Sequence, residues 1–171
     1  MQQRFSRQYL AVVLAVAGCR SSVAEGPLTA SEIAAIADSV RAAIQTFNAA
    51  PDSGDCRAVG VPLSVYRYPQ AGFLFLEDTV MATVTEAEGR ALMEQSQCAA
   101  RTREFRLDSL QVRVLGRRLA VAGWRFTEEV VDTSGQRQRV TGLVFGPWVR
   151  DSVGWGIGAA MSSHIPLSPT R

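Results

Sequence analysis

The chain has 171 residues, of which 47% are hydrophobic and 20% are charged. This balance excludes a disordered polar chain and predicts a single domain that is large enough to bury a core. All 18 basic residues are arginines, set against 16 carboxylates. The resulting net charge of +2 lacks the basic excess of nucleic-acid-binding proteins, so no nucleic-acid partner is expected.

The N-terminal segment predicts export. Arg4 and Arg7 precede an apolar run over residues 9–17, which is shorter than the roughly 20 residues that span a bilayer. The run ends in Val-Ala-Gly-Cys at Cys19, which resembles the lipobox of bacterial lipoproteins. The resemblance implies that residues 1–18 are a signal peptide and that the thiol of Cys19 carries the lipid. An ordinary secretory signal or an uncleaved anchor are the alternatives.

Processing at this site leaves 171 − 18 = 153 residues with 16 arginines and 16 acids. Acyl chains such as palmitate on Cys19 would hold the protein to a membrane, because each buried methylene contributes about 0.8 kcal/mol. Arg20 stands where an aspartate would retain such lipoproteins in the inner membrane. The resemblance therefore implies the periplasmic face of a Gram-negative outer membrane, with residues 19–28 as a lipidated tether.

Two capping boxes predict two helices. Thr29 and Glu32 open the first, and Thr85 and Glu88 open the second, which is expected to run to about Ala100. Apolar residues at helical spacing place one face of the first helix in the core: Ile33, Ile36, Val40, Ile44 and Phe47.

The rest of the chain is predicted to form strands. Residues 57–81 favour irregular structure with short strands near Val65–Tyr68 and Gly72–Leu76. From Leu107 an alternating pattern predicts an antiparallel meander with these parts: 107–114, 119–131, a turn at 132–135, 139–150 and 155–164. Helices followed by strands predict an α+β fold, in which the helices pack on a strongly curved antiparallel sheet.

The C-terminal strands resemble those of SnoaL-like proteins, which belong to the nuclear-transport-factor-2-like superfamily. The resemblance is carried by residues 112–124, the turn at Thr133–Gly135, residues 141–145 and the segment from Gly154 to Ile157. It implies a cone of curved sheet around helices with a cavity inside. It also implies a domain over residues 29–165, followed by a flexible tail over 166–171.

The catalytic residues of such proteins are largely absent. Many SnoaL-like tails carry two histidines on the last strand, and Ala159 and Met161 stand at those positions. The only histidine, His164, lies on the opposite face if that strand is regular. Asp78 and Asp108 are further low-ranking candidates, because a proton-transferring carboxylate needs apolar surroundings. We expect no metal and no cofactor, since zinc-ligand, phosphate-binding and serine-nucleophile motifs are missing.

Two cysteines remain once Cys19 carries a lipid. In an oxidising envelope Cys56 and Cys98 most simply form a disulfide, and two buried free thiols are the alternative. A bridge that closes 98 − 56 = 42 residues contributes about 4 kcal/mol in the chain-entropy model.

The fold implied by the resemblance leaves three functional hypotheses. The first is a membrane-anchored lipoprotein that binds a small apolar ligand or a protein partner without catalysis. The second is an enzyme of the ketosteroid-isomerase or polyketide-cyclase type, and the third is a structural module that forms a homodimer. The aromatic residues proposed for a pocket wall are Tyr66, Phe75, Trp124 and Trp155.

Overall fold

The computed structural model describes residues 26–48, 65–69 and 72–167. The predicted signal peptide, Cys19 and Cys56 lie outside these residues. The described part of the chain contains two helices, α1 (Ala30–Asn48) and α2 (Glu86–Cys98). Its strands are β1 (Phe73–Glu77), β2 (Val80–Val84), β3 (Ala100–Gly116), β4 (Leu119–Asp132), β5 (Arg137–Arg150), β6 (Trp155–Ile157) and β7 (Ala159–Pro166).

Both helices begin at the predicted capping boxes. The Glu32 amide donates to the Thr29 hydroxyl at 3.2 Å, and the Thr29 amide donates to the Glu32 carboxylate at 2.8 Å. The same reciprocal pair joins Thr85 and Glu88, at 3.3 and 2.7 Å. These bonds satisfy amides at the helix start that have no partner within the helix, which is why the boxes locate the helices. Neither described helix is long and apolar enough to cross a membrane.

The sheet is mixed, not purely antiparallel as predicted. Its strand order is β2-β1-β7-β5-β4-β3, and β6 also pairs with β5. The pairing of β1 with β7 is parallel, while the other strand pairings are antiparallel. Because β1 and β7 are far apart in sequence, no tight turn dictates their relative direction. The predicted α+β class is confirmed.

The longest strands give the sheet its curvature. The β3–β4 ladder shifts register between Ala100 and Thr102, between Leu107 and Ser109, and between Val114 and Gly116. Such bulges bend a strand and increase its twist. They also interrupt the alternation of side chains, so the predicted start of β3 at Leu107 was seven residues late.

The core lies between α1 and the inner face of the sheet. Ile36, Val40 and Ile44 of α1 are buried there, with Trp148 of β5 beside them in the same cluster. Ile33 was predicted to join them but is exposed, because the first turn of α1 lies at the end of the sheet.

The predicted last strand is divided in two. Gly158 separates β6 from β7, and its amide donates to the Pro147 carbonyl at 3.0 Å. Val65–Tyr68, predicted as a short strand, contributes one isolated bridge between Tyr66 and Ile157. At the C-terminal end β7 includes Pro166, so the sheet extends one residue past the predicted domain boundary.

Candidate functional site: a cavity inside the sheet

The inner face of the sheet, the C-terminal end of α1 and helix α2 enclose a cavity of about 750 Å³. Its wall is mainly apolar and includes Phe73, Trp124, Trp148 and Ile157. A cavity of this size and character is typical of small-molecule binding sites. Val80 and Leu92 line the cavity and are also exposed to solvent, so they mark its opening.

An aromatic cluster forms one side of the wall. Tyr66 meets Phe47 and Phe73 edge to face, with ring centroids 5.8 and 5.1 Å apart. Burial, helped by nearby Tyr68 and Glu77, raises the pKa of the Tyr66 phenol far above its usual value. Tyr66 therefore stays a neutral hydroxyl that is able to donate or accept a hydrogen bond.

His164 lies in the cavity wall, which corrects the prediction that it faces outwards. The break at Gly158 shifts the phase of alternation, so that Ala160, Ser162 and His164 line the cavity from β7. The His164 ring contacts Phe126 edge to face, with centroids 5.6 Å apart.

Two carboxylates flank the imidazole of His164. Its Nδ1 is 3.3 Å from Glu77 Oε1 and 3.6 Å from Asp78 Oδ2. Glu77 lines the cavity, whereas Asp78 is exposed in the β1–β2 turn with φ 51°. A neutral imidazole that donates from Nδ1 to a carboxylate leaves Nε2 as a hydrogen-bond acceptor, or as a base toward a molecule in the cavity.

A second polar group lies further along β4. Glu128 lines the cavity, and its Oε1 is 3.0 Å from Nε of Arg103 on β3. Its side chain is only 17% exposed, so this ion pair is screened less by water than a surface pair. The cavity thus offers polar atoms near His164 and near Glu128, separated by apolar wall.

The sequence candidates are distributed between the cavity, its rim and places remote from it. Tyr66, Phe75 and Trp124 line the cavity, while Trp155 is in the buried core and is not part of the cavity wall. Asp108 is exposed on β3, where a hydrogen bond from Thr127 and then one from Arg106 hold its pKa below the usual range.

Asp78 is bonded to the backbone of β7. Its carboxylate accepts the His164 amide at 2.7 Å, and its amide donates to the Ser162 carbonyl at 2.9 Å.

Sequence reasoning missed the two carboxylates that line the cavity. Glu77 follows Phe73 and Phe75 at alternate positions of β1, and Glu128 follows Trp124 and Phe126 in the same way on β4. Extending each inward-facing alternation by one step would have identified both.

Cys98 at the end of α2 is disulfide-bonded. Its predicted partner, Cys56, lies outside the described residues, so the Cys56–Cys98 pairing stays a prediction. In the part of the chain that the structure describes, no group of three or more histidine, cysteine or acidic residues could hold a metal ion.

Comparison with solved structures identifies the architecture. A nuclear transport factor 2 (NTF2-like) superfamily protein from Salmonella enterica superposes on this chain with a TM-score of 0.63 and 16% sequence identity. The alignment covers 81% of this chain and 95% of that one. The chain has the NTF2-like fold. At this identity the likeness shows the fold alone.

Two further NTF2-like neighbours are proposed enzymes. A proposed dehydratase from Streptomyces avermitilis has a TM-score of 0.62 and 16% identity, over 77% of this chain and 97% of that one. A proposed scytalone dehydratase from Novosphingobium aromaticivorans has a TM-score of 0.62 and 9% identity, over 78% of this chain and 85% of that one. Sequence comparisons with protein families and with curated proteins find no match.

Proposed function

We propose that this protein is a membrane-anchored lipoprotein of the bacterial envelope whose NTF2-like domain binds a small, largely apolar molecule. The observation that carries the proposal is the cavity of about 750 Å³, with an apolar wall and a few polar groups. The ligand is expected to have a polar group that hydrogen-bonds to His164, and an apolar body that packs against Trp124 and Phe73. The anchoring part is supported by the lipobox-like sequence that ends at Cys19.

The apolar wall supports binding because a ligand gains roughly 25 cal/mol for each Å² of apolar surface that it removes from water. Polar groups confined to a few positions give orientation, which an entirely apolar hole does not. The fixed positions of Glu77 and His164 on neighbouring strands keep those polar atoms in place before the ligand arrives.

Native mass spectrometry of the protein purified from its own envelope tests the proposal. We expect a bound small molecule that is lost in Ser162→Trp, which places an indole in the cavity. Ser163→Trp is the matched control, since the alternation along β7 directs this neighbouring side chain to the outer face. No bound molecule in the parent protein, or equal loss in both variants, would refute the cavity as the ligand site.

A second candidate function is proton transfer in the same cavity. The observation that favours it is the short distance from His164 Nδ1 to Glu77, which would let Nε2 act as a general base while Glu77 orients the ring. A dehydratase or an isomerase could use such a base to remove a proton next to a carbonyl. That two structural neighbours are proposed dehydratases supports testing it.

The two candidates separate in one experiment. His164→Gln keeps a hydrogen-bonding side chain but cannot act as a base near neutral pH. A binding protein would return the captured molecule unchanged from both the parent and the variant. An enzyme would convert it in the parent protein, and the variant would bind it without conversion.

The proposed homodimer is a separate question. Exposed apolar side chains cover part of the outer face of the sheet: Leu74, Leu143, Phe145, Met161 and Ile165. Light scattering of the purified protein measures whether two copies associate, and a Phe145→Ser variant tests whether they do so through this outer sheet face.

A further inference from the structure

Three segments of the chain meet at one end of the sheet, opposite the cavity opening. Arg117 donates to the Gly26 carbonyl at 2.9 Å and to the Glu32 carboxylate at 3.0 Å, which joins the β3–β4 turn to the start of α1. Arg118 donates to the Arg150 carbonyl at 3.0 Å, which joins the same turn to the end of β5. We call this region the tether end, defined by residues 26–33, 113–119 and 149–154.

The tether end exposes apolar side chains in and next to its turns. Val153 is 80% exposed and Leu115 is 55% exposed, and Leu119 and Ile33 are exposed beside them. Single exposed apolar residues are ordinary on protein surfaces. Here Val153 lies in the β5–β6 turn, while Leu115 and Leu119 flank the β3–β4 turn, so the three are grouped at one end of the sheet. Side chains at the end of a sheet can enter another phase without moving the rest of the domain.

The turn that carries Val153 is held rigidly. The Asp151 carboxylate accepts the amides of Val153 and Gly154 at 2.8 and 3.1 Å, and Arg67 Nε lies 2.6 Å from its other oxygen. A turn fixed in this way presents Val153 in one position, so little entropy is lost when the side chain is buried against a partner.

Arginines outnumber acidic residues at the tether end. The tether end carries Arg113, Arg117, Arg118 and Arg150, with Arg67 behind the β5–β6 turn. The acidic residues of the same region, Glu32 and Asp151, are each engaged by a guanidinium group. Exposed apolar side chains beside an excess of guanidinium groups over carboxylates match a phospholipid surface, whose phosphates attract the charges while its interior accepts the side chains.

The chain that leads to Cys19 begins at this end. Gly26 is the first described residue, and seven peptide units separate it from Cys19. At most about 3.4 Å per residue, they reach no further than roughly 24 Å. A lipid on Cys19 therefore keeps Gly26, and with it the tether end, within roughly 24 Å of the lipid.

We propose that the tether end docks on the bilayer that holds the lipid of Cys19, with Leu115, Leu119 and Val153 inserted among anionic headgroups. This inference rests on the proposed lipidation. It also orients the cavity. Asn48, at the other end of α1 and roughly 27 Å away at 1.5 Å per residue, lines the cavity, so docking would hold this part of the cavity far from the membrane. The ligand would then enter from the aqueous side.

The test uses the mature protein purified from membranes and reconstituted in vesicles of phosphatidylethanolamine and phosphatidylglycerol. Hydrogen exchange measured by mass spectrometry is expected to show protection at residues 113–119 and 149–154, relative to detergent micelles, and unchanged exchange at 80–96. Leu115→Ser with Val153→Ser should abolish that protection. Ile165→Ser is the matched control, because it removes an exposed apolar side chain from the outer sheet face.

Each outcome decides between the docking surface and its alternatives. Protection that is absent from the tether end of a lipidated protein overturns the inference while leaving the anchor intact. Protection of the outer sheet face instead would also overturn it.

Mass spectrometry of the N-terminal peptide tests the lipid separately. If Cys19 carries none, the anchor proposal fails, and flotation of the same protein with the vesicles decides the docking surface alone. Vesicle binding that falls roughly tenfold in the Leu115→Ser, Val153→Ser double variant would support the docking surface, because the two substitutions remove apolar area that would be buried in the bilayer. Absence of binding, or an equal loss in Ile165→Ser, would overturn it.

Discussion

Replacing Gly142 by alanine tests the packing that holds His164 in the cavity wall. Gly142 pairs with Phe126 on β4 and with His164 on β7. A methyl group at this position would contact the Ser163 carbonyl oxygen and would lie 2.5 Å from Cζ of Phe126. Carbon atoms normally approach to about 3.5 Å, so the Phe126 ring must shift by about 1 Å.

That shift has two consequences. Phe126 stacks on Phe105 at 5.2 Å and meets His164 edge to face, so it cannot move without disturbing both rings. Overpacking of this kind destabilises a protein by about 1–3 kcal/mol. For a domain of this size, a loss of about 2 kcal/mol lowers Tm by roughly 4–8 °C.

Thermal unfolding followed by circular dichroism measures the first effect, and the imidazole proton signal of the single histidine in a nuclear magnetic resonance spectrum measures the second. Gly158→Ala is the matched control, because its added methyl group would meet no atom closer than 3.9 Å. It should change stability by less than about 0.5 kcal/mol. If Gly142→Ala is equally mild and leaves the histidine signal in place, the described packing around His164 is wrong.

Three further predictions follow from buried or bonded side chains. Arg67 holds the pKa of Asp151 below its usual value, so this carboxylate stabilises the fold above the ordinary aspartate pKa and loses that effect as pH falls through the lowered one. In the parent protein the urea concentration at the midpoint of unfolding should therefore fall between about pH 6 and about pH 3, and in Asp151→Asn it should fall less over the same range. Because burial raises the pKa of Tyr66, its neutral form is favoured in the folded state and stability falls as pH rises above the unfolded pKa. At about pH 11 the folded chain should show less tyrosinate absorbance than the urea-unfolded chain, and Tyr66→Phe should reduce the difference. Trp148→Ala, at a fully buried position, should lower the free energy of unfolding by about 3–5 kcal/mol, and chemical denaturation would show less than about 1 kcal/mol if the indole were not in the core.

Short sequence motifs predicted those helices and turns that are stabilised by contacts between residues close in sequence. The capping boxes at Thr29 and Thr85 located α1 and α2, and the turn at 132–135 located the β4–β5 hairpin, where Asp132 accepts the amides of Ser134 and Gln136. The parallel pairing of β1 with β7 was not predictable in this way, because it depends on packing between segments that are more than eighty residues apart.

The cavity was predictable in kind but not in detail. The fold resemblance implied a cavity, and three of the four aromatic residues proposed for its wall line it. Trp155 does not, because β6 lies against α1 and the side chain is used in the core. The polar residues of the lining were harder to predict. A carboxylate that follows a row of inward-facing apolar residues has the same sequence pattern whether it lines a cavity or lies in solvent at the end of the strand.

The position of His164 depends on a break in the strand, which the regular alternation of side chains between the two faces of a sheet does not predict. Gly158 ends β6, and the strand resumes with its inward and outward faces exchanged, which turns the only histidine toward the cavity. Asp78 then fixes that strand, because its backbone and side chain bond to Ser162 and His164 from the β1–β2 turn. Asp78, proposed from sequence as a proton-transferring carboxylate, thus also holds the backbone of the strand that carries His164. The same pair of bonds would serve a bound ligand or a proton transfer equally well. The choice between binding and catalysis therefore depends on whether a ligand places an acidic proton at Nε2 of His164.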